Sequence, residues 1–232
     1  NNFGGITTIN LPKVNFDYSF KNQLKTANGL SNYDFKFIVK NWVFISIILV
    51  GFLFIFLVSL STGQIFGTST YPVTWQMLLL PGNTFGLFIN ILTFLFTGML
   101  IHRGRTTRMS TIVDTTPTPN WVFQLSHFLA IVKMQIVLLL VVMLAGIIIQ
   151  ISKGYYHFEI GLYLKELLTL KLIHYVIWAL LAVFIHTLIK NYMLGFFMLL
   201  VLSIGINYLS AIGIEQTFLK FNSDSRYDYS DM

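Results

Sequence analysis

Apolar residues in this chain gather into long blocks separated by short polar stretches, and the blocks are too uniformly apolar to be one-sided faces of helices in water. No Asp, Glu, Lys or Arg occurs from residue 41 to residue 101, and further charge-free runs cover 134–152, 172–189 and 191–214. A run of about 20 apolar residues, rising 1.5 Å per residue, is what a ~30 Å hydrocarbon layer requires. The pattern predicts an all-α, polytopic membrane bundle with about five transmembrane helices, at 41–60, 84–102, 133–152, 172–189 and 192–213.

The segments between the blocks complete the outline. Residues 1–32 read as a polar leading segment, with Gly4, Gly5, Pro12 and Gly29 arguing against long helices. From 33 to 40, Tyr33, Phe35, Phe37 and Ile38 alternate with Asp34, Lys36 and Lys40, which suits a short helix at the bilayer surface. Trp42 then stands at the headgroup end of the first span. The apolar stretch 121–152 is too long for one perpendicular span, and Lys133 divides it. Residues 120–132 are therefore assigned to an interfacial or cytosolic helix extension. Residues 153–171 are expected to form a loop with a short surface helix and an aromatic cluster of Tyr155, Tyr156, Phe158 and Tyr163 suited to the interfacial belt, while Lys190-Asn191 makes a turn so tight that the fourth and fifth spans must be antiparallel neighbours. The whole membrane domain is 33–213, followed by a polar tail, 214–232.

Composition sharpens this. The chain has 232 residues, 55% hydrophobic and only 10% charged, against about 25% charged in an ordinary soluble domain. A water-soluble fold of this length has nowhere to put so much apolar surface. Lys and Arg also divide by side. With the N-terminus inside, the cytoplasmic segments hold ten of the fifteen: Lys13, Lys21, Lys25, Lys36, Lys40, Arg103, Arg105, Arg108, Lys133 and Lys190. The asymmetry predicts N-terminus in and the 214–232 tail outside. There is no cysteine, which removes disulfides and thiolate metal sites. No cleavable signal precedes the first span. A chain that starts Asn1-Asn2 and stops at Met232 is expected to be a segment of something longer.

Candidate chemistry is sparse. His174 and His186 lie twelve residues apart in the fourth block, about 120° apart around a helix, and are expected near opposite membrane faces, each wetted. Bis-histidine ligation needs partners on two helices at matched depth, which this pattern does not supply. Every acid is expected in a loop or tail, which argues against a proton-coupled carrier within this chain. HExxH, GxSxG and GxxxxGK[ST] are absent, so the chain itself reads as no enzyme, with no cofactor, no metal and no nucleic-acid partner. The most informative segment is 103–120. Arg103, Arg105 and Arg108 supply three cytoplasmic charges, and Met109, Ile112 and Val113 make one apolar stripe of a short helix with Asp114 near its end. On composition alone, a basic loop touching anionic lipid heads explains it equally well.

From the second span to the fourth the chain resembles the ABC-2 class of ATP-binding-cassette transporter permeases, and most of all the bacterial type fused to an M1-family aminopeptidase-like region. The resemblance rests on Arg103-x-Arg105-x-x-Arg108-Met109-x-x-Ile112-Val113-Asp114-x-x-Pro117-x-Pro119-Asn120-Trp121. It continues in Gln150-x-x-x-Gly154-Tyr155-Tyr156-x-Phe158-Glu159 and in Tyr163-Leu164. Where family members carry acids among the arginines, this chain has Gly104, Thr106, Ser110 and Thr111, so an acid-mediated contact is not implied. The resemblance implies one permease half whose sixth helix lies beyond Met232, in a bacterial cytoplasmic (inner) membrane. It also implies a cytosolic ABC ATPase as partner, docked on the coupling loop 103–120 and supplying the ATP chemistry, and a second permease half or a homodimer. The competing expectation is a non-transporting membrane anchor or scaffold subunit of an envelope complex, which needs no coupling loop.

Overall fold

In the computed structural model, residues 19–61, 64–65, 68–69, 73–74, 77–78, 85–107 and 115–208 are described. The first helix, α1 (Phe20–Val39), starts where the Ser19 side chain accepts a hydrogen bond from the Asn22 amide, satisfying one of the amides that a helix start leaves open. It runs 20 residues straight through Gly29. The sequence predicted a polar segment without long helices up to residue 32 and a short surface helix after it. That expectation is corrected. Ala27, Ser31, Asp34 and Ile38, at spacings of four, three and four, are buried as one face, and packing of that face outweighs the ~1 kcal/mol that a helical glycine costs.

Lys40 and Asn41 break the chain, and α2 (Trp42–Ser61) leaves at 63° to α1. Its 20 residues carry no charge. A two-residue antiparallel ladder follows, β1 (Gln64–Ile65) on β2 (Thr68–Ser69), with Gln64 opposite Ser69 and Ile65 opposite Thr68. Then come α3 (Gly86–Thr106), α4 (Asn120–Ser152), α5 (Ile160–Lys165), α6 (Leu172–Leu188) and α7 (Tyr192–Tyr208). Apart from the small ladder, the described residues with regular structure are helical.

Two boundaries differ from the sequence expectation. The stretch 120–152 is one unbroken helix of 33 residues, about 50 Å long, and Lys133 interrupts nothing. In 153–171, Lys153 and Gly154 form a turn, the latter with φ of 76°, and helix resumes at Ile160, but it is no separate surface helix. There α5 passes through a π-helical turn, Glu166–Lys171, into α6 without a break. Glu166, expected in a loop, therefore lies on a helix. Tyr163 and Leu167 before α6, and Tyr175 within it, all reach the core, which overrides the polar look of Lys165, Glu166 and Lys171.

The central helix is α3, buried on most of its circumference and packed against α4, α6 and α7. Around it, α4 packs against α6, α6 against α7, and α1 lies along α4. The main core joins Phe85, Ile89, Leu92 and Phe96 to Met134, Leu138, Val142 and Ile149 of α4. A smaller cluster of Phe94, Trp178, Ala182, Ile185 and Leu199 locks α3 to α6 and α7. Three helical stretches are long and apolar enough to cross a membrane: Gly86–Gly104, Asn120–Ser152 and Ile160–Leu188. A bent α1–α2 pair, counted as one, makes a fourth, and Tyr192–Ile206 is a shorter apolar helix. Many apolar side chains on the outer faces of α2, α6 and α7 are exposed, among them Leu49, Leu53, Phe184, Phe197 and Val201, as the perimeter of a bundle solvated by lipid requires.

Candidate functional site

The ends of α3 and α6 and the starts of α4 and α7 share one end of the bundle: Arg103 of α3 and His127 of α4 meet at Asp34, and residues 189–191 turn the chain from α6 into α7. Polar and charged side chains concentrate at this end. Lys133 projects from α4 onto α1 and donates to three neutral oxygens: Asn28 Oδ1 at 2.9 Å, Ser31 Oγ at 2.6 Å and Asn32 Oδ1 at 2.7 Å. Asp34, nearly buried, takes His127 Nδ1 on one carboxylate oxygen at 2.9 Å and lies 3.7 Å from Arg103 Nη1 on the other. The Arg103 guanidinium also stacks over the Phe37 ring, 4.4 Å from its centroid, and Phe20 stacks on Trp121 at 5.7 Å.

The members of this latch are not equal. The Arg103–Asp34 contact is long and its arginine about half exposed, so its share is of the order of 0–1 kcal/mol. Asp34 and His127 are both largely shielded from water, and a charge-assisted hydrogen bond there is worth about 1.5–3 kcal/mol. The His127–Asp34 pair and the Lys133 cluster thus hold α1 in place, and Arg103 reinforces them.

Of the predicted coupling residues, Arg103 is placed by α3 and turned toward α1. Arg105 belongs to the last turn of α3, while Arg108, Met109, Ile112, Val113 and Asp114 lie outside the described residues. The chain returns at Thr115 and enters α4 through Pro119, whose extended backbone precedes the first helical residue, Asn120.

His102 and His186 meet on the other side of α3. Their rings stand edge to face at 6.0 Å, both nearly inaccessible. This corrects the expectation that His186 is wetted and that no second helix offers a histidine at its depth. His186 Nε2 is 3.0 Å from the Phe94 carbonyl oxygen, and its ring fits between Gly98 and Gly195, where an added Cβ would lie 2.7 and 2.6 Å away. The fit of the ring between two glycines packs α6 against α3 and α7 at this point.

Two further polar layers lie above it. Gln135, fully buried, donates through Nε2 to Thr93 Oγ1 at 3.1 Å and to the Tyr175 carbonyl at 2.9 Å, tying α3, α4 and α6 together. At the far end Tyr163, also buried, donates to Gln150 Oε1 at 3.1 Å, and Gln150 donates to Thr74 Oγ1 at 3.3 Å. Tyr163 is thus a core residue and not part of an interfacial belt. Sequence reading missed these layers, although glutamines in a charge-free block, as Gln135 and Gln150 are, signal interhelical hydrogen bonds.

No family model matches the chain, and no curated protein matches it in sequence.

Proposed function

We propose that the chain is the membrane-spanning permease part of an ATP-driven transporter of the ABC-2 type, with five spans and the N-terminus in the cytoplasm. The observation that carries this reading is the latch. The helix α1, set at 63° to the first span, is fastened to the end of α3 and the start of α4, the two elements that flank the loop 103–120. A helix lying along the membrane surface and tied to both sides of a loop is suited to carry a push on that loop into α2. A passive anchor has no use for such a connection. The motif after the second span adds the resemblance on which the ATPase rests.

In this reading the start of α4, up to Lys133, projects beyond the hydrocarbon. A helix of about 50 Å exceeds a ~30 Å layer, and the Asp34, His127 and Lys133 contacts fall within the excess. An ATPase seats on Met109, Ile112 and Val113, with Arg105 and Arg108 at the rim. Its closure displaces the ends of α3 and α4, and α1 follows. The polar layers at Gln135 and Gln150 keep the helices in register during that movement.

The test is whether an ATP-hydrolysing subunit co-purifies with the tagged chain from its native membrane. A buried Ile contributes ~1.5–3 kcal/mol, so Ile112→Asp is expected to lose that subunit while the chain itself is recovered in normal yield. Retention of the subunit at the wild-type level would remove the coupling role from this loop and favour a scaffold.

A further inference from the structure

On the latch end of the bundle, but on the opposite side of α3, the end of α3 and the α6–α7 turn enclose an open cleft of about 330 Å³ lined by His102, Thr106, Lys190, Asn191 and Tyr192. Such a volume lies at the lower end of the ~300–1,000 Å³ range of small-molecule sites. Its chemistry is one-sided. Among the described residues the lining contains one ammonium, a hydroxyl, an amide, a phenol and an imidazole, and no carboxylate. Asn191 Oδ1 is engaged by the Met193 amide at 3.0 Å, which leaves the donor end of that side chain directed away from the helix start. Among the described residues Lys190 has neither an ion pair nor an internal hydrogen bond. His102, nearly inaccessible, meets the cleft at its inner side.

We infer that this cleft binds the phosphate of an anionic phospholipid, with Lys190 as counter-charge and Asn191, Tyr192 and Thr106 as neutral hydrogen-bonding groups. The surroundings favour a lipid over a soluble phosphate. Leu188, Met193 and Leu194, next to the cleft in sequence, are all exposed and apolar, so an acyl chain can run down the side of α6 and α7 while its headgroup stays in the polar cleft. The position suits it too, since Lys36, Lys40 and Arg103 decorate the same end of the bundle, the sign that an anionic leaflet attracts. A seated headgroup would bridge the last turn of α3 to the α6–α7 turn, beside the His102–His186 contact. The binding itself does not depend on the transporter reading.

The experiment uses the full chain in nanodiscs of phosphatidylcholine doped with phosphatidylglycerol, and counts retained lipid by native mass spectrometry after extraction. The wild-type chain is expected to retain phosphatidylglycerol in preference to phosphatidylcholine. Lys190→Gln, an exposed change that leaves the fold intact, is expected to reduce that preference about fivefold. Lys36→Gln, on α1 and outside the cleft, is expected to leave it unchanged. Equal preference in Lys190→Gln and wild type would overturn the site. An equal loss in both variants would reduce it to general surface charge. Thermal protection by inorganic phosphate in pure phosphatidylcholine nanodiscs, equal to that given by phosphatidylglycerol, would assign the cleft to a soluble anion instead.

Discussion

His186 occupies the meeting point of α3, α6 and α7, and two glycines make room for it. The ring is fixed on one side by the Phe94 carbonyl, so it cannot swing away from a new methyl group without giving up that bond. In Gly195→Ala the added carbon would stand 2.6 Å from Nδ1 and 2.8 Å from Cε1, well inside van der Waals contact. Overpacking of this kind costs about 1–3 kcal/mol, which a thermal unfolding measurement in detergent should register as lost stability. Adding His186→Ala removes the obstacle while leaving a cavity of its own. The double variant is therefore expected to be less destabilised than the two single losses added together. Strict additivity would mean that the ring and the glycine do not meet. Nothing in the sequence paired these positions: Gly98, His102, His186 and Gly195 are brought together only by tertiary packing. Gln135 and Gln150 differ, because an amide within an apolar block is visible in one dimension.

For the elements, legibility follows how much one kind of physics dominates. The blocks that became α2, α3, α4 and α7 are long and uncharged over most of their length, and the cost of exposing backbone to lipid leaves helix as the only outcome. The helix α1 was obscured because its signal is a narrow stripe, Ala27–Ser31–Asp34–Ile38, of which two members are polar. Its stability comes from α4, not from local propensity. That dependence yields a prediction. Removing the carboxylate in Asp34→Ala strips His127 and Arg103 of their shared partner, at a cost of about 1–3 kcal/mol. Amides of 20–39 should then exchange with deuterium roughly tenfold faster or more, while those of α6 remain as protected as before. Unchanged exchange over α1 would mean that its apolar contacts, Phe20 on Trp121 and Ile38 in the core, hold it without the charges. The start of α5 was misread for a related reason. Tyr163 and the lysines around it look interfacial in sequence, and only the Gln150–Tyr163 hydrogen bond shows that this turn faces inward.

At the scale of the whole molecule, the bundle has two chemically different ends. One carries Lys133, Arg103, Asp34 and His127 around α1, the cleft at Lys190, and the departure of the loop 103–120. The other carries the buried neutral cluster of Thr74, Gln150 and Tyr163, with charges of both signs around it at Lys153, Glu159, Lys165, Glu166 and Lys171. Apolar perimeter and polar ends suit a bilayer around the middle, and the proposed orientation follows the Lys and Arg asymmetry of the sequence. The transporter reading depends on that orientation: an ATPase cannot reach the loop 103–120 from the outer side, and α1 cannot transmit its movement unless it shares that side. The chain has no cysteine, so single introduced thiols report their side directly. Ser69, on the short ladder between α2 and α3, and Thr115, just before α4, lie on opposite sides in this account. In right-side-out vesicles a membrane-impermeant thiol reagent is expected to label Ser69→Cys at once and Thr115→Cys only after permeabilisation. Labelling of Thr115→Cys in intact vesicles as fast as Ser69→Cys would contradict the account.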